Sequence, residues 1–202
     1  MQWKSQEMYE QSNSKYCYPD SDVLINLPGF REQKQLNAFE RIVTLDRLRL
    51  LNSKPLKGKY DRAHLCSIHE FLFKDIYPFA GIFRNEEIGK DSFRFASVQF
   101  LEPITDQVLL ELREENFLKD LAYETFAERL AYYLTELNVL HPFREGNGRT
   151  QREFIRILAL ESGYHIDFTA VAPEQILKAM IQSPYNNQKL TEVFRIIAKK
   201  IN

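Results

Sequence analysis

The segment His141-Pro142-Phe143-Arg144-Glu145-Gly146-Asn147-Gly148-Arg149-Thr150-Gln151-Arg152 concentrates side chains and backbone suited to handling phosphate. Gly146 and Gly148 are free to take positive φ, and Asn147 between them tolerates it best after glycine. Successive backbone N–H groups in such a turn form an anion-binding nest. The nest opens into a helical pattern, whose first N–H groups are unpaired and whose dipole is positive at that end. Together these outline a phosphate site. Arg149 and Arg152 are three apart and share a helix face, and Arg156 follows four residues on. Cations in the first turns oppose the helix dipole at a cost of about 0.3–1 kcal/mol each when exposed. A bound polyanion reverses that sign, and the planar guanidinium fork suits phosphate oxygens. Arg149 and Arg152, placed after the nest, are read as functional. Glu153 offers a partner to Arg149 or Arg156, and for Arg156 the ordinary solvated face is the better reading.

Glu145 precedes the nest by one residue, where a carboxylate alone would repel an anion. A bridging Mg²⁺, which binds through one or two carboxylates plus substrate phosphates, resolves that conflict. Its plain alternative is charge complementarity at a helix N-terminus. His141 is the nearby base with an ordinary pKa near neutrality, able to take a proton from an attacking hydroxyl. Phe143 is expected to plug the loop into the core, and Pro142 to stiffen it.

These residues need elements to hold them. Apolar spacing predicts helices over about 31–51, 61–76, 103–115, 123–139, 149–162, 173–182 and 188–201, with Asp61 as an N-cap. The helix over 123–139 carries Phe126, Leu130, Tyr133, Leu134 and Leu137 on one stripe. Residues 82–96 read as a short β-hairpin around a Gly-containing turn, which must lie on a helical body. The expected architecture is mainly α: a single domain over 1–202, with a core over about 16–165 and C-terminal helices over 166–202. His64 and His69 are five apart, about 140° around a helix, and share no metal-binding face. His165 reads as a loop residue.

Composition narrows the classes. With 202 residues the chain can bury roughly 70% of its unfolded surface without disulfides or metal. Lys+Arg is 27 against Asp+Glu 28, a formal charge of −1, which argues against a helical nucleic-acid binder built on Arg149, Arg152 and Arg156. The two cysteines form no framework. No secretory leader is visible and no stretch approaches 18 apolar residues, so no membrane span is expected and the chain reads as cytoplasmic. Aromatics reach 13%, with 15 Phe and 10 Tyr, concentrated in part around the loop, its flanking helices (Phe126, Phe154) and the hairpin (Phe93, Phe95).

HPFREGNGRTQR resembles the Fic (filamentation induced by cAMP) family signature H-P-F-x-[D/E]-G-N-G-R-x-x-R at every fixed position. Tyr77-Pro78-Phe79-Ala80-Gly81, the hairpin, and Tyr18-Pro19 with Val23-Leu24-Ile25-Asn26 are also similar to family patterns, so the likeness covers roughly 16–165. The resemblance implies helices around a central helix–loop–helix, a hairpin called the flap, and transfer of AMP from ATP to a Tyr, Thr or Ser hydroxyl of a target protein. It implies that His141 deprotonates that hydroxyl and Glu145 holds Mg²⁺. Gly146, Asn147 and Gly148 would cradle phosphates, Arg149 would support loop and phosphates, and Arg152 would grip the terminal phosphate. Phe143 would anchor the loop. Ile88, Lys90 and Phe93 or Phe95 on the flap would clamp a target segment by β-augmentation. Gly148 stands where the kinase-like branch carries Lys, which favours the nucleotidyl-transfer branch; the alternative is the same fold transferring another phosphate-containing group, UMP, phosphocholine or a phosphoryl group. The family's inhibitory pattern [S/T]-x-x-x-E-[G/N] has no strict match: Glu115-Asn116 and Glu145-Gly146 follow Glu111 and His141. A small antitoxin acting in trans is therefore expected, with a type II topoisomerase subunit as the family's suggested target.

Overall fold

The sequence pattern of α4 (Tyr123–Leu140) explains the centre of the molecule. Phe126, Leu130, Leu134 and Leu137 recur at helical spacing, and each is fully buried. Each such side chain contributes about 1.5–3 kcal/mol on removal from water. The structure, a computed structural model, describes residues 14–90 and 93–201. Residues 91–92, within the expected hairpin, lie outside the described residues.

Around α4 stand α1 (Gln33–Ser53), α2 (Arg62–Phe73), α3 (Val98–Glu114), α5 (Asn147–Glu161), α6 (Pro173–Gln182) and α7 (Gln188–Ile197). Helix α4 packs on α5 and α7, and α2 packs on α5 and α1. Leu65, Ile68 and Leu72 of α2 meet Phe154, Ile155 and Leu158 of α5 in one continuous core. Asp61 caps α2 as expected, accepting the His64 N–H at 2.9 Å. The architecture is thus mainly helical, as anticipated.

Three elements differ from expectation. Helix α3 begins at Val98, a turn and more before Pro103. Its entry is capped from outside: the Glu87 carboxylate accepts the Val98 N–H and the Ser97 hydroxyl, each at 3.0 Å. That cap satisfies one of the orphan first-turn N–H groups, and the helix continues through Pro103 to Glu114. The hairpin is shorter than 82–96. Among the described residues β1 (Gly89–Lys90) pairs with β2 (Phe93–Arg94), in the register Gly89↔Arg94 and Lys90↔Phe93, with one further bond from the Phe95 N–H to the Ile88 carbonyl at 3.3 Å. Residues 82–84 turn instead to the active loop, with the Arg84 N–H bonded to the Pro142 carbonyl at 2.8 Å.

The third difference is a second small sheet. β3 (Tyr164–Ile166) pairs antiparallel with β4 (Ala198–Lys200), so α7 stops at Ile197 and His165 is a strand residue. Tyr164 and Ile166 face inward while His165 is exposed. Three residues are too few to display alternation against a helical background. No helix among the described residues is long and apolar enough to cross a membrane.

Candidate active site at the α4–α5 loop

The loop between α4 and α5 begins where α4 ends. His141 is the C-cap of α4, in the left-handed region at φ 47°. It is 2% exposed, and its ring stacks on Phe95 at 3.8 Å. Its Nδ1 lies 3.1 Å from the Asn138 carbonyl, an acceptor that places the imidazole proton on Nδ1 and leaves Nε2 as the basic nitrogen.

What holds His141 there is Arg84, a fully buried guanidinium. Its Nε donates to the His141 carbonyl at 2.9 Å, and Nη2 donates to the Leu140 carbonyl at 3.2 Å and to that of Ala96. Nη1 donates to the Glu86 carbonyl at 2.8 Å. A cation on the terminal carbonyls of a helix is also favoured by the helix dipole. Arg84 therefore joins the base of the hairpin to the His141 end of α4.

Phe143 is fully buried, as expected of an anchor. It stacks on His69 at 3.9 Å and meets Phe83 edge-on at 5.3 Å. The Asn147 side chain staples the loop: its Oδ1 accepts the Phe143 N–H at 2.9 Å and its Nδ2 donates to the Phe143 carbonyl at 2.7 Å. Asn147 is wholly buried, so what it offers a phosphate is its backbone N–H at the start of α5. Gly146 has φ +80°, and a Cβ there would lie 2.3 Å from the Phe73 ring, so only glycine fits. A Cβ on Gly148 would approach the Arg152 Nη1 to 3.1 Å, so a side chain at 148 presses on that guanidinium. The first intrahelical bond of α5 runs from Thr150 N–H to the Gly146 carbonyl at 3.1 Å, leaving the N–H groups of 147–149 with no intrahelical acceptor.

Glu145 Oε1 accepts the Gly146 N–H at 2.9 Å and lies 3.5 Å from Arg149 Nη2. An oxygen donor beside a helix N-terminus is chemically suited to a hard divalent cation bridging to phosphate. Among the described residues no group of three or more His, Cys, Asp or Glu forms a metal cage. That donor set fits a cation carried in by a polyphosphate and completed by one carboxylate.

The arginines divide. Arg156 pairs with Glu153 through Nε and Nη2, at 2.8 and 2.7 Å, and also reaches the Leu51 carbonyl at 3.0 Å; the Glu153 partner is the expected one, but the pair is largely buried between α5 and α1 instead of lying on a solvated face. Arg149 points into the body, 2.7 Å from Glu40 Oε1, with Phe73 beneath its guanidinium at 4.8 Å. Arg152 is half-buried beside Gly148. On the flap, Lys90 and Phe93 are half-buried and form the paired strand residues, Ile88 is 4% exposed and packs inward, and Phe93 meets Phe95 edge-on at 5.3 Å.

Four residues to which sequence reasoning gave no role in the loop support it from outside: Glu40, His69, Tyr77 and Arg84. His69 is entirely buried, its Nδ1 accepting the Gly81 N–H at 2.8 Å and its Nε2 bonded to the Glu145 carbonyl at 2.9 Å. Burial pushes its pKa down to about 3, with the Glu145 carbonyl opposing. A base held neutral on folding binds fewer protons than in the unfolded chain. Stability is therefore full above the ordinary value near 6.5 and falls as pH drops from there toward 3. The expected result is a melting temperature that declines over this window, with a shallower decline in His69→Gln. Equal slopes by thermal denaturation would remove His69 as a source. A signal existed: Glu40 follows Leu36 by four, and His69 lies among Leu65, Ile68 and Leu72, polar residues at buried stripe positions.

Comparison with known proteins agrees with this mainly helical fold. The Fic/DOC family pattern matches residues 59–159, and the chain belongs to that family. It is 42% identical over 182 residues to "Protein adenylyltransferase VbhT" of Bartonella schoenbuchensis, covering 90% of this chain and 38% of that protein. It is 35% identical over 168 residues to "Probable protein adenylyltransferase Fic" of Salmonella typhimurium, covering 83% of each. The N-terminal Fic domain of a VirB-translocated Bep effector protein from Bartonella quintana, with bound ADP, superposes with a TM-score of 0.85 at 27% identity, covering 93% of this chain and 95% of that one.

Proposed function

We propose that the chain transfers AMP from ATP to a hydroxyl side chain of a target protein. The observation that carries this reading is His141, its Nδ1 proton directed to the Asn138 carbonyl, at the entrance to a loop that presents the N-terminus of α5. His141 Nε2 takes the proton of the target hydroxyl. The freed oxygen attacks the α-phosphorus, the P–O bond to the β-phosphate breaks, and pyrophosphate leaves. The backbone N–H groups of 147–149 and the Arg152 guanidinium hold phosphate oxygens through this charge movement. Glu145 holds a Mg²⁺ that neutralises phosphate charge. The flap strand bearing Lys90 and Phe93 lines up an extended target segment.

The toxin part of the reading rests on the missing inhibitory pattern. Glu115, of the Glu-Asn pair, is spent on Arg129 together with Glu111. Inhibition then falls to a small antitoxin in trans, in the cytoplasm, and a type II topoisomerase subunit is the favoured target. Incubation of host lysate with α-labelled or γ-labelled ATP tests the chemistry: label reaches protein from the α position only. Transfer from γ would make it a phosphoryl transferase. Equal transfer from labelled UTP would widen the donor. Overexpression alone arrests growth if the toxin reading holds; normal growth with no small protein co-purifying contradicts it.

A further inference from the structure

Glu40 of α1 is an acidic residue in a buried position, 7% exposed, with no part in the loop signature. Both carboxylate oxygens are engaged. Oε1 lies 2.7 Å from Arg149 Nη2, and Oε2 accepts the Tyr77 hydroxyl proton. The same Arg149 Nη2 lies 3.5 Å from Glu145 Oε1. Thr44 Oγ1, one turn along α1, receives Arg149 Nη1 at 3.3 Å. Arg149 thus sits between two carboxylates and leans toward the remote one.

Charge decides what this arrangement does. A carboxylate closed into an intimate ion pair with arginine has little charge left for a divalent cation. Glu40, Arg149 and Glu145 together carry one net negative charge. With Glu40 satisfying Arg149, that remaining charge resides on Glu145. Without Glu40 the buried guanidinium has one anionic partner, and Glu145 becomes it.

We infer that Glu40 is a positioning residue that keeps the Arg149 charge off Glu145, so that the Glu145 carboxylate can hold the divalent cation of the nucleotide. The inference rests on the nucleotidyl-transfer reading for the need of a cation, and adds a residue outside the loop that sets how tightly the cation is held. Tyr77 donates its hydroxyl proton to the Glu40 oxygen that is not paired with Arg149, a neutral contact that leaves the Glu40 charge on the arginine.

The test is direct binding of Mn²⁺ in the presence of ATP, followed by electron paramagnetic resonance on the full chain. Glu40→Gln preserves size and hydrogen bonding but removes the charge. It is expected to weaken Mn²⁺ binding by about 10–100-fold, the usual effect of losing an outer partner of a metal ligand. The Mn²⁺ concentration for half-maximal label transfer rises in step, while the rate at saturating Mn²⁺ stays near that of the parent. Tyr77→Phe breaks a hydrogen bond in the same buried cluster yet keeps the charge, and should leave Mn²⁺ affinity unchanged. The double variant E40Q/R149M again leaves one net negative charge on Glu145 and no unpaired buried cation. It should recover the parent Mn²⁺ affinity, and it serves if E40Q alone does not fold. Parent affinity in E40Q, an equal loss in Y77F, or no recovery in E40Q/R149M overturns the inference. Failure of the transfer reading shows separately, as a parent chain that binds no Mn²⁺ with ATP or passes label from the γ position.

Discussion

His141→Ala lowers transfer of label from α-labelled ATP to protein by at least about 10²-fold, the range expected for a general base. The chain remains folded. Alanine at φ 47° costs about 1–2 kcal/mol for the left-handed backbone, and the stack on Phe95 is lost. His141→Asn separates the two effects, because asparagine tolerates that region far better. It should melt closer to the parent than His141→Ala while remaining as inactive. Label transfer persisting in either variant at the parent rate would place the base elsewhere, since the Nδ1–Asn138 contact is the geometry from which its role is argued.

The second large effect is structural. Arg84→Met keeps the length of the side chain and removes its donors to the carbonyls of Leu140, His141, Glu86 and Ala96. Each buried acceptor left unsatisfied costs about 1–3 kcal/mol. Even two such losses amount to roughly 3 kcal/mol, which for a domain of this size lowers the melting temperature by about 6–12 °C. The peptide of His141 is also released, so label transfer falls further than the loss of folded protein accounts for. A melting temperature within about 2 °C of the parent would show that water replaces the guanidinium without cost.

How much of this was legible beforehand depends on the range over which each residue acts. Gly146, Glu145, Phe143 and the arginines sit within a dozen residues, and their chemistry follows from type and spacing. Arg156 with Glu153 is a helix pair three apart, readable in the same way. The partners that fix them are distant in the chain. Arg84 reaches His141 across 57 residues, His69 reaches Glu145 across 76, and Glu40 comes from α1. No local period announces such contacts; the only trace is a polar side chain at a buried stripe position. Asn147 shows the opposite limit. Its type suggested a turn residue tolerant of positive φ in a backbone nest, and the structure adds a task for its side chain, which closes the loop on Phe143 because a buried amide satisfies backbone groups. Arg149, expected to support the loop and the phosphates, is turned inward beside Glu145 of the loop: two carboxylates and the Phe73 ring provide for a desolvated cation what solvent would have.

The short elements were the least readable. Two-residue strands at 89–90 and 93–94, and three-residue strands at 164–166 and 198–200, are set by what they lie against rather than by their own alternation. Helix α3 makes the same point at its start, where Glu87 from the base of the hairpin supplies the cap at Val98 and the helix begins before Pro103.

The central claim is that this loop delivers a nucleoside monophosphate to a protein hydroxyl. Mass spectrometry of host proteins after expression of the parent chain and of His141→Ala tests it most directly. The account predicts a Tyr, Thr or Ser carrying one added AMP in the first sample and its absence from the second. The same adduct in both samples, or a phosphate alone at that hydroxyl in the first, would contradict it.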